Sequence, residues 1–235
     1  MITIKYRGRY GNNLFQLSAA NILSKKYNKQ IISDAKSNIL KINEPKKPNQ
    51  NTETTTTTTT INDKNFIESY YNSQSLHSNI ILDGFFQQPE IISEFIKHNE
   101  YLTNQDAKDL TFVHIRLGDF VKNGMALDFD YYKLALSKIE TSNLVLSTDD
   151  ENNDIVQKIL DEYQVTIINN NPENTILFGA SCKNKILSFG TFSWWIGLLG
   201  NILHKDTIES TICPNMNRRH VFHPKIFPMF DWITL

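Results

Sequence analysis

The stretch KILSFGTFSWWIGLLGNIL, Lys185–Leu203, decides the fold. KILSF is a short apolar run of strand character, and Gly190 breaks it. FSWWIGLLGNIL is apolar on most faces over a helical length, which predicts a buried helix. A strand handed through one glycine to a buried helix is half of a βαβ unit. Outward from it the alternation repeats. TFVHIR (111–116), NLVLST (143–148), VTIIN (165–169) and STICP (210–214) have strand character, and YYKLALSKI (131–139), ENNDIVQKILDEY (151–163) and PENTILFGAS (172–181) carry helical patterns between them. Strands separated by helices of this length predict a parallel sheet with helical crossovers.

The N-terminal part follows the same logic less regularly. ITIKY (2–6) predicts a strand, RGRYGNN (7–13) a glycine loop, LFQLSAANILSKKY (14–27) a buried helix and IIS (31–33) a second strand. NIILDGFF (79–86) predicts a strand and turn, and PEIISEFIKHNEYL (89–102) a helix with proline in its first turn. Between them, residues 44–63 hold two prolines and seven consecutive threonines without apolar periodicity, which predicts a flexible insert. Residues 46–60 are expected to be dispensable for stability. The chain is therefore expected to form two α/β lobes, 1–104 and 105–235.

Composition narrows the function. The chain has 235 residues, is 40% hydrophobic and carries a net charge of -1, which gives no broad attraction to nucleic acid. No window holds the roughly 20 apolar residues of a membrane span, and the first residues resemble a strand rather than a secretory leader. Two cysteines, Cys182 and Cys213, make neither a disulfide framework nor a metal cluster. A cytoplasmic protein is expected. Arginines number only five, so each is a candidate for chemistry that lysine cannot copy.

In open parallel sheets, ligands bind outside the carboxyl ends of the strands. There the sequence places His114, Arg116 and Asp119 in HIRLGD, Asp149 and Asp150 in STDD, and Thr191, Phe192 and Ser193 in GTFS. These suit a nucleoside diphosphate. Arg116 can fork onto a phosphate, and the amides opening the helix after Gly190 attract an anion. The alternative for GTFS is ordinary N-capping of a core helix. Asp149 and Asp150 have three readings: a carboxylate accepting the two donors of a guanine edge, a ligand pair for a divalent metal, or caps of the next helix. His220 and His223 beside Arg218 and Arg219 lack further metal ligands nearby. GRYGNN lacks the third glycine of a dinucleotide fingerprint.

In this order the segments resemble the family 11 glycosyltransferases, the α-1,2-fucosyltransferases. GRYGNNLFQLSAANILSKKY looks like their opening, FVHIRLGDF like their H-x-R-R-G-D-Y motif and DGFFQQPEII like their GYFQ segment. LSTDD and GTFSWW are similar to their later motifs. The resemblance implies a GT-B-like fold of two Rossmann-like lobes with a donor cleft between them. It also implies inverting transfer of L-fucose from GDP-fucose to a hydroxyl of a glycan acceptor, usually a galactoside. Arg116 would then hold the diphosphate, His114 would lie against the nucleotide, and Asp149 or Asp150 would read guanine. Thr191 and Ser193 would meet the phosphates, Gly8, Arg9 and Gly11 would form the first-lobe loop, and Phe192 and Asn12 would join the donor-binding set. Leu117 stands where the motif has its second arginine, and Phe120 where it has tyrosine.

Transfer of this kind needs charge stabilisation on the leaving GDP, expected from Arg116 and the GTFS amides, and a base for the acceptor, for which Asp119 and Asp128 are candidates. No metal or other cofactor is expected, and neither is a nucleic-acid partner. The rival readings are a transferase of another nucleotide sugar and an inactive sugar-nucleotide or glycan-binding protein.

Overall fold

The structure, a computed structural model, describes residues 1–33, 37, 39–40, 57–72, 76–98, 108–139, 141–203, 208–215 and 231–235. The chain divides into two compact units, Met1–Tyr101 and Leu102–Leu235. Both are α/β and Rossmann-like, and every strand pairing within them is parallel.

The first unit runs β1 (Ile2–Ile4), α1 (Tyr10–Tyr27), β2 (Ile31–Ile32), β3 (Thr58–Ile61), α2 (Phe66–Tyr71), β4 (Asn79–Leu82) and α3 (Pro89–His98). Its strands lie in the order β2-β1-β4-β3. Helix α1 starts four residues earlier than the apolar pattern predicts, because Gly8 turns the chain at φ 75° and the Arg9 carbonyl then accepts from the amides of Asn12 (2.8 Å) and Asn13 (3.0 Å). Gly11 and Asn12 are thus in the first helical turn rather than in a loop.

The flexible insert expected over 44–63 is corrected at its end. Thr58–Ile61 pair in register with Asn79–Leu82, and Ile61 is fully buried. Threonine is β-branched and favours a strand once a neighbouring edge offers hydrogen bonds. A threonine run lacks the apolar alternation that announces a strand, which is why pattern alone misses it. Residues 44–56 lie outside the described residues.

The second unit runs β5 (Lys108–Ile115), α4 (Gly118–Lys122), α5 (Phe129–Leu136), β6 (Leu144–Thr148), α6 (Asp154–Glu162), β7 (Val165–Ile167), α7 (Pro172–Ser181), β8 (Cys182–Ile186), α8 (Thr191–Leu203), β9 (Ser210–Cys213) and β10 (Ile233–Thr234). The sheet order is β10-β9-β8-β5-β6-β7. The chain winds outward from β5 through β6 to β7, then returns to the other side of β5 with β8. The crossovers therefore leave β5 and β8 in opposite directions, and this is where such a sheet opens a ligand crevice.

Strand β8 begins at Cys182, not at Lys185 as the apolar run suggests. Its Lys183 and Asn184 hide the start, and Lys185 is fully buried under α8 and donates from Nζ to the Cys182 carbonyl. A Cβ on Gly200 would come within 2.6 Å of Lys185 Cε, so glycine there leaves room for the end of the lysine side chain under α8. Burial pushes the Lys185 ammonium down from 10.5 to about 8. Between these two values the unfolded chain holds the proton that the folded chain has released, so stability rises with pH across that window. The expected rise is about 3 kcal/mol. Burial raises the Cys182 thiol to about 11 and acts in the opposite sense there, so the Lys185 contribution is read as the difference between wild type and Lys185→Met in urea unfolding at the two ends of the window.

The tail packs on the same helix. Trp232 lies against Gly197, its Nε1 donates to Asn201 Oδ1 at 2.8 Å, and the chain then adds β10 beside β9. Trp194 and Trp195 are fully buried, edge to face with centroids 5.4 Å apart.

Candidate active site

The candidate site is assembled where β5 and β8 end side by side. Past β8 the Leu187 amide still bonds the Ile212 carbonyl at 2.8 Å, and then the chain turns. Gly190, at φ 115°, reverses it into α8, whose Trp194 amide bonds back to the Gly190 carbonyl at 3.1 Å. In this turn Ser193 Oγ accepts from the Ser188 amide at 3.1 Å and meets His114 Nδ1 at 2.5 Å. Ser188 Oγ in turn accepts from the Arg116 amide at 3.3 Å. One hydrogen-bonded group therefore joins the two strand ends.

This places Ser193 differently from a phosphate ligand or an N-cap. Its side chain is fully buried and bridges the protein's own groups. Its oxygen receives the Ser188 amide and also faces His114 Nδ1, where the direction of the bond follows the imidazole tautomer. Burial pushes His114 down to about 4, the Asp149 charge opposing this in part, so the imidazole is neutral at physiological pH. Phe192 stacks on it with centroids 5.0 Å apart. Thr191, half-buried, opens α8. The tryptophans of GTFSWW are core, and they fix the helix start from behind.

Arg116 is held from three sides. Nη1 meets Asp149 Oδ2 at 2.5 Å, Nη2 is paired with Asp119 Oδ1, and the guanidinium lies over the Phe120 ring at 5.5 Å. Asp149 uses its other oxygen too, accepting from the Leu117 amide at 2.7 Å. A Cβ on Gly118 would come within 2.6 Å of Asp149 Oδ2, so the glycine of HIRLGD is the residue that lets this carboxylate close on the turn. Asp150 is exposed, and its amide bonds Thr148 Oγ1 at 3.2 Å. The two aspartates, equivalent in sequence, thus have different surroundings: Asp149 is tied to Arg116 and its turn, while Asp150 faces solvent.

Leu117 is fully buried among Val113, Tyr132 and Ile186. The missing arginine of the motif is therefore a position turned into the core, while Phe120 supports the arginine that remains. Asp128, a candidate base, is the N-cap of α5 and accepts from the Tyr131 amide at 3.0 Å. That assigns it a structural task. Ser188, which sequence reasoning missed, had no signal beyond its place after a strand.

In the first unit, the Gly8 turn is packed against Asn12, since a Cβ there would lie 2.0 Å from Asn12 Nδ2. Asn12 Oδ1 accepts from Gln87 Nε2 at 3.0 Å. Buried Gln16 donates to the carbonyls of Arg7 (3.3 Å) and Gly84 (2.9 Å), tying the ends of β1 and β4. Arg9 stands at the N-terminal boundary of α1. Residues Arg218, Arg219, His220 and His223 lie outside the described residues. Among those described, no cluster of His, Cys, Asp or Glu is arranged to hold a metal ion, and no helix is long and apolar enough to cross a membrane.

No curated protein and no solved structure shows significant similarity to the chain. The family model Glycosyl transferase family 11 matches residues 51–220, well over half of the sequence and nearly all of the second unit. With its parallel Rossmann-like sheets and the HIRLGD and GTFSWW segments at adjoining strand ends, the chain belongs to glycosyl transferase family 11.

Proposed function

We propose that this glycosyltransferase is an inverting α-1,2-fucosyltransferase that uses GDP-fucose and a galactoside-type acceptor. The observation that carries the reading is the single hydrogen-bonded group joining His114 and Arg116 at the end of β5 to Ser188 and Ser193 at the turn into α8. It sits where a sheet of this order takes a nucleotide. In the proposed reaction an acceptor oxygen bonds to the anomeric carbon as the bond to the phosphate oxygen breaks. The electron pair leaves on GDP. Arg116, Thr191 and the first amides of α8 stabilise that charge, and Asp119 takes the acceptor proton. Neutral His114 lies against the nucleotide, with Ser193 orienting it. Asp150 reads the guanine edge, and Asp149 keeps Arg116 in place. Two buried free thiols, Cys182 and Cys213, support a reducing, cytoplasmic setting.

Two tests bear on this reading. GDP-fucose incubated with the protein is expected to release GDP slowly alone and faster with a galactoside, whereas no release under either condition and no thermal shift with GDP would overturn it. Transfer is also expected to persist in EDTA, because Arg116 and the first amides of α8 face the leaving diphosphate in this reading and Asp119 and Asp149 are both engaged with Arg116. Complete loss of activity, restored by Mg²⁺ or Mn²⁺, would make those carboxylates metal ligands instead.

A further inference from the structure

In the order β2-β1-β4-β3 the parallel strands β1 and β4 end side by side, and ligands of an open parallel sheet bind outside the carboxyl ends of its strands. The turn after β4, Asp83–Gln88, is fixed to an unusual degree. Asp83 is paired with Lys5 (3.1 Å) and Arg7, and the Gly84 carbonyl accepts from Gln16. The amides of Phe85 (3.0 Å) and Phe86 both donate to the Asp63 carboxylate. Gln87 bonds Asn12, and Gln88 donates to the Asp63 carbonyl. Every residue of the turn is anchored.

The anchoring holds a strained backbone. Phe86 is at φ 56° with its ring fully buried, edge-on to Phe66 at 5.6 Å. A bulky residue in that region is an outlier that persists only where its surroundings over-determine it. Here the twist aims two successive amides at one carboxylate. Its consequence is that Phe85 is presented 40% exposed on a turn anchored at every residue.

We propose that Phe85 is a stacking platform for the acceptor sugar. This rests on the glycosyl-transfer reading above and assigns the acceptor a place in the first unit. A galactopyranose has one face of ring hydrogens and a rim of hydroxyls. The hydrogen face meets the electron-rich face of an aromatic ring, and the hydroxyls suit the polar residues of the same turn, Asp83, Gln87 and Gln88. A rigid presentation lowers the ordering cost of binding a small ligand.

The test is Phe85→Ala beside Phe85→Trp, with a methyl galactoside as probe. In the presence of GDP, saturation-transfer NMR is expected to detect the galactoside on wild type and on Phe85→Trp and to lose it in Phe85→Ala. In transfer assays Phe85→Ala is expected to raise the acceptor KM roughly tenfold, with acceptor-free donor hydrolysis, GDP affinity and melting temperature unchanged. Wild-type-like galactoside binding in Phe85→Ala overturns the proposal, and so does a loss of GDP affinity matching the loss of acceptor binding. No galactoside signal on wild type overturns it as well. Failure of the fucosyltransfer reading shows separately, as wild type that neither binds GDP nor hydrolyses GDP-fucose.

Discussion

Arg116→Lys is expected to lower kcat/KM roughly 30- to 1,000-fold, a loss of about 2–4 kcal/mol of transition-state stabilisation. The reason lies in the geometry of the guanidinium. It faces Asp119 and Asp149 with different nitrogens while its plane rests on Phe120. An ammonium is a point charge on a flexible stem. It has no plane to rest on the ring and no fork with which to face two carboxylates and a phosphate together. The fold should survive, because the core of this unit is built from other residues, Val113, Ile115, Leu146 and Ile186 among them. The melting temperature is expected to fall by only about 2–4 °C, corresponding to about 1 kcal/mol. Steady-state kinetics beside a thermal melt decides the matter: near-wild-type turnover in a folded Arg116→Lys removes Arg116 from the reaction.

The second large effect concerns the base. GDP is expected to bind roughly tenfold to a hundredfold more tightly than ADP or UDP, the discrimination typical of a two-point hydrogen-bonding pair. A carboxylate can accept the ring N–H and amino group of guanine together, whereas adenine lacks that N–H and uracil lacks the amino group. Both Asp149 oxygens are already used within the protein, one by Arg116 and one by the Leu117 amide. Asp150→Asn is therefore expected to shrink the preference for GDP. Asp149→Asn is expected to weaken all three nucleotides alike, because it loosens Arg116 without touching the base. Calorimetric titration of the three diphosphates separates these outcomes. Equal affinities in the wild type would remove the support for a guanosine donor, and a preference lost in Asp149→Asn alone would exchange the two roles.

Much of the second unit was legible in its sequence because its strands are apolar runs and its helices amphipathic or capped. Asn153 and Asn171 each accept a first-turn amide of the helix that follows. What stayed hidden has physical causes. Lys183 and Asn184 are polar residues in a central strand, so the pattern put the start of β8 too late. Helix α4 is a single turn held by contacts around Arg116, and β10 is two residues paired with β9, so neither is long enough to show a period. The types of residue at the candidate site were legible, as His114 is near the end of a strand and Arg116, Asp149 and Ser193 follow strands. Their division of labour was not. Ser193 looks like a ligand-facing hydroxyl in sequence, and only the turn at Gly190 shows that it faces His114 and the Ser188 amide. In the same way, nothing in STDD marks Asp149 as the residue closed onto Arg116.

Strand β3 has a consequence for how this chain can change over generations. Its paired residues are the last three of seven consecutive threonines, followed by the buried anchor Ile61, which is aligned with Leu82. Repetitive coding tracts gain and lose whole codons by slippage during replication. Register elsewhere in a sheet would be ruined by such an event, since shifting a strand by one residue turns each side chain to the opposite face. Here the anchor follows the tract, so a gained or lost codon draws another threonine into each paired place and leaves the strand as it was. The tract can shorten by up to four threonines before a paired position changes identity. Length variants of this run are therefore expected to keep the same melting temperature and the same first sheet.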